Sequence, residues 1–174
     1  MPLVMQISLL QDYLSHSAKS APDKIALICG HVQLSYKTID DQSDALANKL
    51  LALGVRKGDR VIIFMENSTQ AVISFWAILK ANAIVAIVNP QTKADKLAYY
   101  INDSGSNIVI SQHTLIDRVS AAISKSNLTV FIIAIIFAGI GFVVASMISV
   151  NSTTVAVSVF IAALLSPFIA IRPN

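Results

Sequence analysis

At 174 residues the chain can hold one domain with a sizeable core, and its net charge of +3, with no basic cluster beyond Arg56-Lys57 and Arg60, excludes a nucleic-acid binder. The single Cys29 excludes an intrachain disulfide and a multi-cysteine metal site, and His16, His31 and His113 are too scattered for a paired-histidine site. Hydrophobic residues reach 55% and charged residues only 13%, against roughly 25% charged in ordinary soluble domains.

The excess lies at the back. From Ser126 to Ile171 there is no Asp, Glu, Lys or Arg, whereas the residues before it carry all ten acids and twelve of the thirteen bases. Front and back therefore cannot have the same relation to water. The first residues, MPLVMQISLLQDYL, place no basic group before the apolar stretch, so no cleaved signal peptide is expected.

Ile7 to Ser17 reads as a short amphipathic helix with Leu9, Leu10, Tyr13 and Leu14 on one side. Ala21-Pro22-Asp23 is a turn, and Lys24 to Cys29 and Gln33 to Ser35 are short strands joined around Gly30-His31. From Tyr36 the period becomes helical. Ile39, Ser43, Leu46, Ala47, Leu50, Leu51 and Leu53 recur at three- and four-residue steps until Gly54 stops the helix. Val61 to Met65 is a buried-type strand, Asn67-Ser68 caps a helix over Thr69 to Ala81, and Ile84 to Val88 is a second apolar strand ended by Asn89-Pro90. A helix over Lys93 to Asn102, a strand over Asn107 to Ser111 and a helix over Thr114 to Ser124 follow, with a further strand allowed from Leu128.

Apolar strands alternating with helices predict an α/β fold, a doubly wound parallel sheet covered on both faces. Such sheets bind ligands beyond the carboxyl ends of their strands. Here those ends are Glu66-Asn67-Ser68, Asn89-Pro90-Gln91 and Ser111-Gln112-His113. The plainer reading of these residues is that Asn, Ser and Pro start and stop elements.

Leu34-Ser35-Tyr36, Ala45 to Leu50, Leu53 to Val61, Glu66-Asn67-Ser68, Ala77 to Ala81, the strand Ile84 to Val88 with Asn89-Pro90, Lys96 to Ile101 and Asp103-Ser104-Gly105 follow one another in a specific order. That order resembles the opening of the acyl-adenylate-forming (AMP-binding) enzyme superfamily, which includes acyl-CoA synthetases, luciferases and peptide-synthetase adenylation domains. It covers roughly residues 8 to 134, and Asn89-Pro90 is more like acyl-CoA synthetases than peptide-synthetase domains. Asn82 departs from it, standing where the family usually has Gly.

The resemblance implies a parent chemistry in which ATP activates a carboxylic acid to acyl-AMP before transfer to CoA or another acceptor, with ATP, Mg2+ and CoA as cofactors. That chemistry uses a Ser/Thr/Gly-rich loop ending in Lys, whose glycines let backbone amides approach phosphate oxygens. Of the six glycines, Gly30, Gly54, Gly58, Gly105, Gly139 and Gly141, no two share a polar loop, and Gly139-Ile140-Gly141 is embedded in apolar sequence. The loop would fall near Leu165 to Asn174, where Arg172-Pro173 echoes only its basic end. No catalytic, cofactor-binding or metal-binding residue is therefore assigned, and no cofactor is expected for this chain alone.

Residues 1–128 thus read as a partial AMP-binding-enzyme N-terminal domain and 129–174 as a hydrophobic tail. Thr129 to Val150 and Thr154 to Ile171 are each long enough, at 1.5 Å per residue, to cross a bilayer core of about 30 Å as helices of a transmembrane hairpin broken at Asn151-Ser152-Thr153. Ala134, Ala138, Gly141, Ala145 and Ser149 would give the first helix a small-residue face. Arg118, Lys125 and Arg172 flank the pair and favour both ends in the cytoplasm. Three other readings compete: Leu128 to Ile133 as the next family strand, an out-of-frame continuation, and a soluble core. The expected protein is a truncated acyl-CoA-synthetase-like AMP-dependent ligase, inactive alone and membrane-associated with its N-terminal domain cytoplasmic; the alternative location is cytoplasmic. Its expected partners are a membrane and a separately encoded remainder of the enzyme, with no nucleic acid. The alternative functions are a non-catalytic membrane-tethered partner-binding module and a frameshifted product without function.

Overall fold

Serine caps start the helices on one side of the fold. The computed structural model describes residues 9–138, 141–151 and 154–156. Helix α1 (Leu10–Ser20) leads into the antiparallel strands β1 (Ile25–Cys29) and β2 (Val32–Ser35), with Gly30 between them at φ +59. The Ser35 hydroxyl then accepts from the Thr38 amide at 3.2 Å and opens α2 (Tyr36–Ala52). After β3 (Arg60–Phe64), the Ser68 hydroxyl accepts from the Ala71 amide at 3.2 Å and opens α3 (Thr69–Lys80). Strand β4 (Ile84–Ile87), helix α4 (Ala94–Ser104), strand β5 (Ile108–Gln112) and helix α5 (Ile116–Ile123) complete the alternating run.

Strand β3 is central. It pairs in parallel with β4 through Val61↔Val85 and with β5 through Val61↔Ile108. Strand β6 (Val130–Ala138) joins β5 in parallel through Ile108↔Phe131. Each strand sends alternate side chains to opposite faces. Ile63 and Ile110 pack with Leu46, Leu50 and Ile78 of α2 and α3, while Ile62, Phe64 and Val109 pack with Leu97, Ile101 and Val119 of α4 and α5. This is the doubly wound parallel arrangement read from the sequence, and each such buried Leu or Ile contributes roughly 1.5–3 kcal/mol.

Two expectations for the front need correction. The α1 face that packs is Leu14 and Ala18, and Leu9, Leu10 and Tyr13 are exposed. The helix begins only at Leu10, so the early apolar residues sit on its first turn rather than against α2. Leu51 of α2 is likewise exposed, although the rest of the predicted stripe from Ile39 to Leu50 is buried.

The back differs more. No transmembrane helix occupies 129–150: β6 is followed by β7 (Gly141–Asn151) and β8 (Thr154–Ala156), both antiparallel additions to the same sheet. Among the described residues no helix is long and apolar enough to cross a membrane. The segment is dense in β-branched residues, including Val130, Ile132, Ile133, Ile135, Ile136, Val143, Val144, Ile148 and Val150. These favour a pleated strand, and β5 offers a parallel edge for pairing. The reading of Leu128 to Ile133 as the next strand agrees with β6. The second expected helix, 154–171, begins instead with β8, and 157–171 lie outside the described residues. The expected small-residue face is divided between β6 and β7, with Ala138 opposite Gly141.

Candidate functional site

The order β4-β3-β5 makes the chain reverse direction across the sheet after β4. The β3–β4 connection runs through α3 on one face and the β4–β5 connection through α4 on the other. A switch point of this kind opens a crevice between the carboxyl ends of β3 and β5. The three polar strand ends singled out in the sequence meet on that edge.

Gln112 spans the crevice. Its Oε1 accepts the Glu66 amide at 2.9 Å, and its Nε2 donates to Thr114 Oγ1 at 2.7 Å. Directly below, the buried Ser111 hydroxyl donates to the Phe64 carbonyl at 2.8 Å. Gln91 Nε2 reaches Glu66 Oε1 at 3.4 Å, and the Gln91 amide donates to Asn89 Oδ1 at 2.8 Å in an Asx turn. Arg118 of α5 donates to the Pro90 carbonyl. Ser68 caps α3 and Asn89 closes a turn, while Gln112 and Gln91 bridge neighbouring strand ends.

Three of the glycines lie away from the crevice. Gly54 and Gly58 precede β3 and Gly105 precedes β5, each with positive φ, so they lie at the amino edge of the sheet, opposite the crevice. Asn82 belongs to the same edge. It adopts φ +57 directly after α3, and its carbonyl accepts the Gly58 amide at 3.0 Å. Its left-handed backbone explains the sequence departure, because Asn is among the few residues besides Gly that tolerate this region. Among the described residues no group of three His, Cys, Asp or Glu is placed to hold a metal ion.

A groove of about 690 Å³ lies beside β4 and reaches its carboxyl end at Asn89 and Gln91. Ile62, Ala86 and Val88 line it from the sheet, and Lys93, Lys96 and Tyr100 from α4 and the turn before it. The ammonium of Lys96 stands 5.7 Å from the Tyr100 ring centroid. Near the start of α4, the Lys125 hydrogen bond and charge hold the Asp95 carboxyl below its usual pKa. Periodicity could not have shown the groove, because it depends on which strand becomes the sheet edge.

The α/β fold with its parallel sheet resembles the N-terminal portion of adenylating-enzyme domains. A profile described as "AMP-binding enzyme" matches residues 14–141, and the chain belongs to that family. It is 33% identical over 111 residues to the medium/long-chain-fatty-acid–CoA/3-oxocholest-4-en-26-oate–CoA ligase of Mycobacterium marinum, covering 64% of this chain and 20% of that protein. It is 32% identical over 109 residues to the phosphinothricin tripeptide synthetase PhsC of Streptomyces viridochromogenes, covering 63% of this chain and 10% of that protein. The solved anthranilate CoA ligase AuaEII, in complex with anthranoyl-AMP, superposes with a TM-score of 0.70 at 22% identity, a likeness of fold alone; it covers 78% of this chain and 26% of that one. The chain thus spans about a fifth of the length of the curated CoA ligases it matches.

Proposed function

We propose that the chain is the scaffold portion of an acyl-CoA-synthetase-like, AMP-forming acid ligase and does not form acyl-AMP by itself. The parent reaction is ATP-dependent activation of a carboxylic acid and transfer of the acyl group to a thiol acceptor. The carrying observation is the family match over residues 14–141 in a sequence with no Ser/Thr/Gly-rich loop ending in Lys. The internal bonding of Gln112, Ser111, Ser68 and Asn89 supports this reading, since it leaves those groups committed to structure. Acid-dependent exchange of labelled pyrophosphate into ATP by the purified chain is expected to stay at background across short, long and aromatic acids. Clear exchange with any of them would overturn the proposal.

Strands β6 and β7, standing where a first membrane helix was expected, support a cytoplasmic chain held by its own sheet rather than by lipid. Carbonate washing of membranes from expressing cells is expected to release the chain; retention in the pellet would count against this location.

A further inference from the structure

We propose that β7 is an intramolecular cap: it holds the side of β6 on which a further parallel strand of an adenylate-forming ligase would pair, and so closes the scaffold against that strand. The inference rests on the ligase reading above for what the cap excludes, and on backbone pairing alone for the cap itself. Strands β4, β3, β5 and β6 are parallel, and the chain passes from β5 to β6 through α5. On this side the sheet grows outward, from β3 to β5 to β6. One more crossover of the same kind would set a parallel strand on the outer side of β6. That side is taken. Every residue of β6 has a partner on β7, from Val130↔Val150 to Ala138↔Gly141, and β7 runs antiparallel.

Three observations distinguish β7 from a strand of the family sheet. The family profile ends at residue 141, the residue with which β7 begins. Pairing between β5 and β6 stops at Gln112↔Ile135, so among the described strands Ile136, Phe137 and Ala138 are held by β7 alone. No charge lies between Ser126 and Ile171, so an uncovered β6 would lack the charged side chains that keep sheet edges from unwanted pairing. Capping moves the edge out to β7, where β8 pairs from Ser149 to Asn151. A strand arriving parallel to β6 must first displace β7 along its length. The uncharged back thus acts within the chain's own fold, covering an edge that its sequence leaves without protection.

The test is amide hydrogen exchange on the full 174-residue chain. Successive amides of a strand point to opposite neighbours, so one set of β6 amides faces β5 and the other faces β7. Both sets are expected to be protected, and equally so after dilution by about tenfold, because an intramolecular partner does not dilute away. Val143 and Val144 stand opposite Ile136 and Ile135. Val143→Pro/Val144→Pro removes the amide that faces β6, whichever of the two it is. The double variant is expected to speed exchange of the β7-facing set at least about tenfold while Ile62 and Val109 stay protected. Val155→Pro, on the far side of β7, is expected to leave β6 unchanged. Fast exchange of the β7-facing set in the unaltered chain would overturn the cap. So would protection that falls on dilution, since a second copy would then be the occupant, or loss of protection at Ile62 and Val109 in the double variant, since β7 would then belong to the core. No substrate enters these measurements: pyrophosphate exchange by the chain would refute the ligase-fragment reading and leave the pairing standing.

Discussion

Lys80 closes the end of α3 onto α2, and replacing it with methionine probes how the helical layer is locked. Its ammonium uses all three donors: Asp40 Oδ1 at 2.7 Å, the Asp40 carbonyl at 2.9 Å and Asp44 Oδ1 at 2.7 Å. Its side chain is 8% exposed and that of Asp40 17%, whereas Asp44 is 59% exposed. The Asp44 contact is therefore worth at most about 1 kcal/mol. The Asp40 contact is different. Without the ammonium its carboxylate keeps, among the described residues, the Ser15 hydroxyl at 3.0 Å and the more distant charge of Lys37. Stranding a fully buried charge costs about 3–5 kcal/mol, and the remaining exposure of Asp40 reduces this to about 2. Lys80→Met preserves the apolar stem, so packing losses stay small. Urea unfolding followed by far-UV circular dichroism is expected to show a loss of about 2–3 kcal/mol for Lys80→Met and under about 1 for Asp44→Asn. The double variant Lys80→Met/Asp40→Asn should cost clearly less than the sum of its parts. A Lys80→Met loss below about 0.5 kcal/mol, or strict additivity, would refute the assignment of this pair as a coupled lock.

Three further outcomes are expected. Because Asn82 is left-handed, Asn82→Gly should be more stable than Asn82→Ala by about 1–2 kcal/mol in thermal unfolding; equal stabilities would contradict the backbone conformation. Gln112→Ala removes the acceptor of the Glu66 amide across the crevice and should cost about 1 kcal/mol, with the loosening seen as faster amide exchange at Glu66. For Asp95, whose carboxyl Lys125 holds below its usual pKa, stabilisation is present above the unfolded carboxylate pKa and lost as pH falls through the lower folded value. The stability difference between wild type and Lys125→Ala should therefore vanish on acidification, and a difference that persists at low pH would reject the pairing.

Much of the front was legible because its periods are local. The Ile39 to Leu50 stripe, the Ser68 cap and the apolar runs of β3 and β4 can be read within a dozen residues. The failures required knowledge of distant partners. Leu9, Leu10 and Tyr13 have helical spacing, but what they face depends on where α1 meets α2. The segment from Thr129 to Val150 has the hydropathy of a membrane helix, and only pairing with β5 makes β6 a strand. In the candidate site the polar strand ends were visible. The bridge from Gln112 to the Glu66 amide was not, because it joins positions on different strands. The choice of β4 for the open edge was hidden for the same reason.

The central position of β3 also bears on synthesis. Its two neighbours in the sheet are both made later, β4 after one crossover and β5 after two. At roughly 5–20 residues per second the ribosome takes a few seconds between Phe64 and Ile108, far longer than the microseconds in which a helix such as α2 forms. During that interval Val61, Ile62, Ile63 and Phe64, all buried in the finished fold, have at most half of their sheet. The nascent chain thus holds the apolar β3 for seconds before either of its sheet neighbours exists, which makes β3 a segment in need of chaperone protection.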